Sequence, residues 1–228
     1  LKEMESYRRE FIGNVSHELK TPIFSGQGFA ETLLDGALDD EAVNRTFLKK
    51  ILHHANRLDR LARDLSTMTK IETDELDMSN EAFNVAELFD AAIESVEIRA
   101  EKKGIMPRQR VAPDLPQIYG DFDRLRRVLV NLVDNAIKYN QDGGTVQLEA
   151  ESQNDEVVIR VVDDGIGISP DHLPRLTERF YRVDKSRSRN QGGTGLGLAI
   201  VKHILAAHDR ELHVESAPAE GSTFYFTL

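Results

Sequence analysis

His17 is followed directly by Glu18 and, one helical turn later, by Thr21, within the run FIGNVSHELKTPI at residues 11–23. A neutral imidazole is a good nucleophile near neutral pH. When one ring nitrogen attacks a phosphoryl group, the proton on the other must be held, which a neighbouring carboxylate can do. Glu18 takes that base role. His17 lies about 200° around a helix from Val15, so it points away from the apolar Phe11, Val15 and Leu19 and toward solvent. Thr21 shares its face. Pro22 removes an N–H and is expected to bend or free the helix just beyond.

Three further groups have the makings of a nucleotide pocket. Asn131, Asn135 and Lys138 fall at i, i+4 and i+7, on one helical stripe opposite Leu125, Leu129, Leu132 and Ala136. Asparagine is a poor mid-helix residue, and a plain solvent face would more naturally carry Glu, Lys and Arg. Neutral amide oxygens can coordinate magnesium without adding charge. Asp163-Asp164-Gly165-Ile166-Gly167 follows a strand-like run. An ordinary Asp-Gly turn has the same residues, but a carboxylate there can also accept a hydrogen bond from adenine, and glycines let the backbone pass beneath a flat base. Gly192, Gly193, Gly195 and Gly197 stand where a non-periodic segment enters a helix, a place where backbone N–H groups bind phosphate. GGTGLGL lacks the ending of a Walker loop, and it is no dinucleotide fingerprint because no strand immediately precedes it. Between Asp163 and this loop, Arg175, Arg179, Arg182, Lys185, Arg187 and Arg189 make a basic stretch that reads as a lid over phosphates.

The elements that must position these groups change character along the chain. Residues 1 to about 35 read as one helix, with Gly36 suited to a left-handed cap. Asp39 and Asp40 can cap the next helix. That helix carries Ile51, Ala55, Leu58, Ala62 and Leu65 at 4-3-4-3 spacing, a seam that normally faces another helix. A hairpin of two helices cannot bury its seams alone, so a homodimer forming a four-helix bundle is expected. After Ile71 the run DELDMSNEAFN reads as a linker with an extended piece. Helices are then expected over 85–103, 121–140 and 194–208, and strands over 145–150, 157–162, 211–215 and 222–228. This order suits an α+β sandwich, one mixed sheet covered by helices on one face. The organisation is 1–75 for the hairpin, 76–82 for the linker and 83–228 for the sandwich. No regular element is expected between Ser169 and Gly193.

FIGNVSHELKTPI, NLVDNAIKYN, DDGIG and GGTGLGL, in this order, resemble the catalytic core of a bacterial sensor histidine kinase across nearly the whole chain. The stretch ETLLDGALDD at 31–40 is similar to the phosphate-sensor-like class in particular. The resemblance implies a dimerising histidine-phosphotransfer hairpin followed by an ATP-binding domain of the histidine kinase and Hsp90-like type. It makes His17 the phosphorylated residue, with transfer onward to an aspartate of a response-regulator receiver domain. Thr21 would position a water for phosphatase action on that regulator. Asn135 would hold Mg2+ on the phosphates of ATP, Asn131 and Lys138 would contact phosphates, and Tyr139 would line the base pocket. Asp163, with Gly165 and Gly167, would recognise adenine. Gly193, Thr194, Gly195, Leu196, Gly197 and Leu198 would form the phosphate loop, and Arg182 would reach the γ-phosphate. Thr177 stands where a second lid phenylalanine is common in the family, and Asp209 where glycine is usual. His53 and His54 read as ordinary surface histidines.

Bulk properties agree with this. A formal charge of -10 over 228 residues argues against non-specific nucleic-acid binding, and zero cysteines fit a reducing cytoplasm. No apolar run approaches the ~18 residues that span a bilayer. The chain opens mid-pattern with LKEMESYRRE, as if a longer helix continued upstream, so a sensor or membrane segment is expected there and the core itself in the cytoplasm. An ATPase of the same nucleotide fold but of chaperone or mismatch-repair type would share the asparagine helix and both glycine motifs, yet not HELKTP on a dimerising hairpin. A non-catalytic scaffold would not need His17, Asn135, Asp163 and Gly195 together.

Overall fold

The computed structural model describes residues 2–72, 78–154, 156–183 and 193–228, with backbone alone for 2–8, 10, 71 and 72. They group into two compact units. One holds the chain through Thr69 together with Gly193 and Thr194, and the other holds the described residues from Lys70 to Val183 and from Gly195 to Leu228.

The first unit is a helical hairpin. Helix α1, Lys2–Thr32, continues through a buried Pro22 rather than coming free there. The chain turns at a π-helical step, Leu33–Ala37, where Gly36 takes φ 118°. That conformation suits a residue with no β-carbon. Asp40 caps the turn leading into α2, since its carboxylate accepts the Ala42 N–H at 2.9 Å and its carbonyl accepts the Asn44 N–H at 2.9 Å. Helix α2 proper is Asn44–Glu72. Its buried side chains are Arg57, Leu61 and Met68. Of the expected seam, Ala55 and Ala62 are exposed and Ile51, Leu58 and Leu65 are half-buried. The face of α2 hidden within one chain is therefore rotated from the stripe that the Ile-Ala-Leu periodicity marks. An aromatic cluster adds to the packing, with Phe29 5.4 Å from Phe47 and the Lys50 ammonium 4.9 Å above the Phe29 ring.

The second unit is an α+β sandwich. A small antiparallel pair joins β1, Asn80–Phe83, to β3, Ile118–Asp121. The main sheet runs β2-β4-β5-β7-β6, built from Arg108–Val111, Val146–Gln153, Glu156–Asp163, Ser222–Thr227 and His213–Ser216. Its β2–β4 pair is parallel and the rest are antiparallel, so the sheet is mixed as expected. Alternate residues Val146, Leu148 and Ala150 of β4, and Ser222, Phe224 and Phe226 of β7, are buried. This period-two pattern puts one covered face on the sheet. Helices α3, Val85–Glu101, and α5, Gly197–Ala207, both pack on α4, Phe122–Lys138. Burying α4's Leu125, Leu129 and Leu132 leaves the asparagine stripe on its other side.

The start of α4 is firmly set. Asp121 accepts the N–H groups of Arg124 at 3.0 Å and Ser79 at 3.1 Å, and pairs with the Arg124 guanidinium at 2.8 Å. Burial opposes ionisation of Asp121, but these donors together hold its carboxyl below the usual range. β1 is a paired strand at the end of the stretch expected as a linker with an extended piece, and a 3-10 helix, Pro170–Arg175, interrupts the stretch expected to be irregular. Asp209 takes φ 56°, the left-handed geometry expected where glycine is usual. Among the described residues no helix is long and apolar enough to cross a membrane.

Candidate functional site

His17 is exposed on α1. The Thr21 hydroxyl lies one turn on and donates to the His17 carbonyl at 3.2 Å. Glu18 turns toward α2, where its Oε2 meets Arg57 Nη2 at 2.6 Å. The Arg57 side chain is 6% exposed and that of Glu18 21%. The adjacent pair thus divides the surface, with the imidazole in solvent and the carboxylate anchored.

Below this point the two helices frame an open groove of about 540 Å³, lined by Thr21, Ser25, Phe29, Thr46, Lys49, Lys50, His53, His54 and Arg57. No carboxylate lines it. His54 is not the plain surface histidine expected from sequence. Its Nδ1 is buried without a hydrogen-bond partner among the described residues, and its ring stacks 6.1 Å from Phe29. Burial, then the charges of His53 and Arg57, push its pKa below the ordinary imidazole value. Arg57 and His54 were missed in the sequence because the apolar seam one position away dominates the pattern. The available signal was the stripe His54, Arg57, Leu61, Met68 at helical spacing.

In the second unit, Asn131, Asn135 and Lys138 all lie half-buried along α4. The Asn131 amide donates to the Arg127 carbonyl at 3.0 Å, and a β-carbon on Gly197 would sit 3.1 Å from Asn131 Oδ1. The asparagine stripe and the start of α5 are therefore adjacent. Tyr139 ends α4, with the Lys138 ammonium 4.8 Å above its ring. Burial raises the Tyr139 phenol pKa and the Arg182 charge lowers it, so Arg182 lies within electrostatic reach of Tyr139.

Asp163 ends the central strand β5, paired across to Val146 on one side and Ser222 on the other. It is buried, and its Oδ1 accepts the Gly165 N–H at 2.9 Å. Burial pushes its carboxyl up to about 6, with the charge of Asp164 adding to the effect while the N–H groups of Gly165 and Ser222 oppose it. Among the described residues no cation pairs with this buried carboxyl, which suits it to meeting a ligand's donor. The loop is held close to α4, since Ile166 N–H donates to the Tyr139 carbonyl at 3.2 Å. At Gly167, φ 66°, any β-carbon would overlap the Ala217 carbonyl.

Sequence reasoning missed the support under this loop. Asn140 is buried and its amide donates to Asp164 Oδ1 and to the Thr145 carbonyl, each at 2.9 Å. Lys103 reaches the Lys138 and Asn140 carbonyls at 2.9 and 2.7 Å. It closes the end of α4 as a cation should at a helix C-terminus. The only sequence signal was position, since Asn140 ends one motif and Asp164 sits inside another.

The glycine loop comes beside Phe180. Gly195, φ 76°, accepts the Phe180 N–H at 2.8 Å, and a β-carbon there would lie 2.8 Å from the Phe180 α-carbon. Leu196 and Thr194 are buried, whereas Gly193, Gly197 and Leu198 are half-buried. Arg175 pairs with Glu178 at 3.0 Å and lies 4.4 Å over Tyr181, and Arg182 is half-buried. Lys185, Arg187, Arg189 and Gly192 lie outside the described residues. Among the described residues no three His, Cys, Asp or Glu side chains assemble a metal site. Asn135 offers a neutral amide oxygen of the kind that can coordinate magnesium together with phosphate oxygens.

Two family models match the chain: "His Kinase A (phospho-acceptor) domain" over residues 7–74 and "Histidine kinase-, DNA gyrase B-, and HSP90-like ATPase" over 120–228. The phosphate regulon sensor protein PhoR of Pseudomonas aeruginosa is 40% identical over 225 residues, covering 97% of this chain and 50% of the relative. The sensor-like histidine kinase SenX3 of Mycobacterium bovis is 41% identical over 225 residues, covering 99% of this chain and 54% of the relative. The chain thus spans about half the length of these relatives. A crystal structure of histidine kinase ThkA in complex with response regulator protein TrrA superposes with a TM-score of 0.80 at 24% identity, covering 100% of this chain and 63% of that one.

Proposed function

This chain belongs to the sensor histidine kinases, in their phosphate-sensor-like class, and we propose that it phosphorylates its own His17 from ATP and hands the phosphoryl group to an aspartate of a response-regulator receiver domain. The observation that carries this reading is the exposed imidazole of His17 with its neighbouring carboxylate anchored at 2.6 Å. An unprotonated ring nitrogen attacks the γ-phosphorus, the bond to the ADP oxygen breaks, and Glu18 holds the proton on the other nitrogen. Asp163 accepts the adenine amino group, Tyr139 lines the base pocket, and Asn131, Lys138 and Arg182 meet the phosphates. The loop from Gly193 to Leu198 wraps the phosphate chain at the start of α5. Asn135 would hold Mg2+, which neutralises phosphate charge when bound. A response-regulator partner is supported by the complex in which the structurally similar ThkA was solved.

The half-exposed stripe Ile51, Ala55, Leu58, Ala62 and Leu65 supports a homodimer, because such a seam is most stable against a second copy. Thr21, with a hydroxyl beside His17, is assigned to dephosphorylation of the regulator. We place this core in the cytoplasm, as part of a longer sensor protein.

The test is incubation of the chain with γ-labelled ATP. Acid-labile, alkali-stable label on the parent and none on His17→Gln, with ATP binding unchanged, is expected. Acid-stable label, or label persisting on His17→Gln, overturns the assignment.

A further inference from the structure

We propose that Arg57 is a positioning residue for the phosphorylation of His17, holding the Glu18 carboxylate in the orientation from which it serves the imidazole. The inference rests on the proposed base role of Glu18 and adds a residue that the sequence motifs do not contain.

Its first support is geometric. Adjacent residues of a helix point about 100° apart, so Glu18 does not face the same way as His17 by default. A long carboxylate side chain on a helix surface samples many rotamers. Here it is held by a contact of 2.6 Å from the opposite helix. Arg57 is itself only 6% exposed, between Leu61 one turn on and His54 one turn back. Its stem is packed, and its head is a planar fork that fixes a carboxylate's orientation as a lysine ammonium would not. A carboxylate has lone pairs for several donors, so pairing with Arg57 does not exhaust its capacity to hold an imidazole proton.

The second support concerns why a charge sits here at all. Onward from Arg57 the hidden side chains of α2, Leu61 and Met68, are apolar. Buried ion pairs are poor stabilisers, and an apolar pair of similar volume commonly does as well or better. A buried arginine at this position is thus better explained by what it orients than by what it stabilises. His54, the titratable group one turn away, is kept toward its neutral form by burial and by the neighbouring charges of His53 and Arg57.

The experiment is a double-mutant cycle on the whole chain, reading kcat for His17 labelling, KM for ATP, ATP affinity and melting temperature. The variants are Glu18→Gln, Arg57→Met, Arg57→Lys and the double variant Glu18→Gln/Arg57→Met. Methionine keeps the packed stem, and the melting temperature reads whether the fold is retained. Arg57→Met should lower kcat about tenfold or more, since misorienting a general base forfeits part of its contribution. KM and ATP affinity should stay within about twofold, because only the chemical step is touched. Arg57→Lys should recover part of the rate. In the Glu18→Gln background, Arg57→Met should have no further effect. An equal loss in both backgrounds overturns the proposal, as does a folded Arg57→Met with the parent's kcat. A Glu18→Gln variant as fast as the parent removes the base role itself, and is distinguishable because it needs no Arg57 variant.

Discussion

Asn140 and Asp164 are bonded side chain to side chain at 2.9 Å, and this bond ties the end of the asparagine helix to the loop that carries Asp163. Asp164 Oδ1 also accepts the Thr145 N–H at 2.7 Å, so one carboxylate oxygen gathers three segments of chain. Asn140→Ala leaves the Thr145 carbonyl and Asp164 without this buried donor, at a cost of about 1–3 kcal/mol. The expected outcome is a lower denaturation midpoint and weaker ATP binding together, read by urea titration and by nucleotide titration. Unchanged ATP affinity in a destabilised variant would mean the latch serves stability alone.

Asp163 gives the pocket a pH dependence. Its carboxyl is raised to about 6 from 3.8. An acid whose folded-state pKa lies above its unfolded value binds more protons when folded, so stability falls as pH rises from about 4 to about 6 and is level above. The ionised group then costs roughly 3 kcal/mol at neutral pH. Asp163→Asn should therefore raise stability at neutral pH and flatten its dependence between pH 4 and 6, measured by denaturation across that range. ATP affinity should behave oppositely. In the proposed site the adenine amino group donates to the carboxylate, so the parent should lose affinity below about pH 6, and Asp163→Asn should bind ATP weakly at every pH.

Much of this architecture is legible in the residues, and the exceptions have physical causes. The buried stripes of α3, α4 and α5 follow strong helical periodicity, and β4 and β7 alternate clearly. β2 is different, because Arg108, Gln109 and Arg110 are exposed on an edge strand, where burial imposes no pattern. β1 and β3 are four residues each and pair mainly with one another, so local propensity says little about them. Most motif residues are visible by their own chemistry, whereas Arg57 and Lys103 outside the motifs, and Asn140 at the end of one, act through partners 39, 35 and 24 residues away. Only the fold supplies those distances.

Gly195→Ala tests the junction of the proposed lid and phosphate loop. The residue sits at φ 76°, where a side chain is strained, and its β-carbon would press on the Phe180 backbone. Phe180 already takes φ 63°, so its own freedom to give way is small. The substitution should lower ATP affinity about tenfold or more, for a local strain of about 1–3 kcal/mol. The melting temperature should move little, because both residues lie in a surface loop rather than the sheet. A large drop in melting temperature with intact affinity would contradict this placement.

Thr21→Ala separates the two directions of chemistry proposed at one helical face. The Thr21 hydroxyl spends its proton on the His17 carbonyl at 3.2 Å, leaving oxygen lone pairs able to hold a water. It has no role in holding the imidazole proton, so autophosphorylation of Thr21→Ala should stay within about twofold of the parent. Dephosphorylation of the phosphorylated regulator should fall about tenfold or more, the scale of losing a water-positioning group. Thr21→Ser keeps the hydroxyl and should keep most of that activity. Helix damage is an inadequate alternative, because alanine is the better helix former and a hydroxyl bonded back to the preceding turn slightly destabilises a helix. A melting temperature equal to or above the parent's, together with a selective loss of phosphatase rate, is the expected result. Equal losses in both directions would show that Thr21 only supports the backbone under His17.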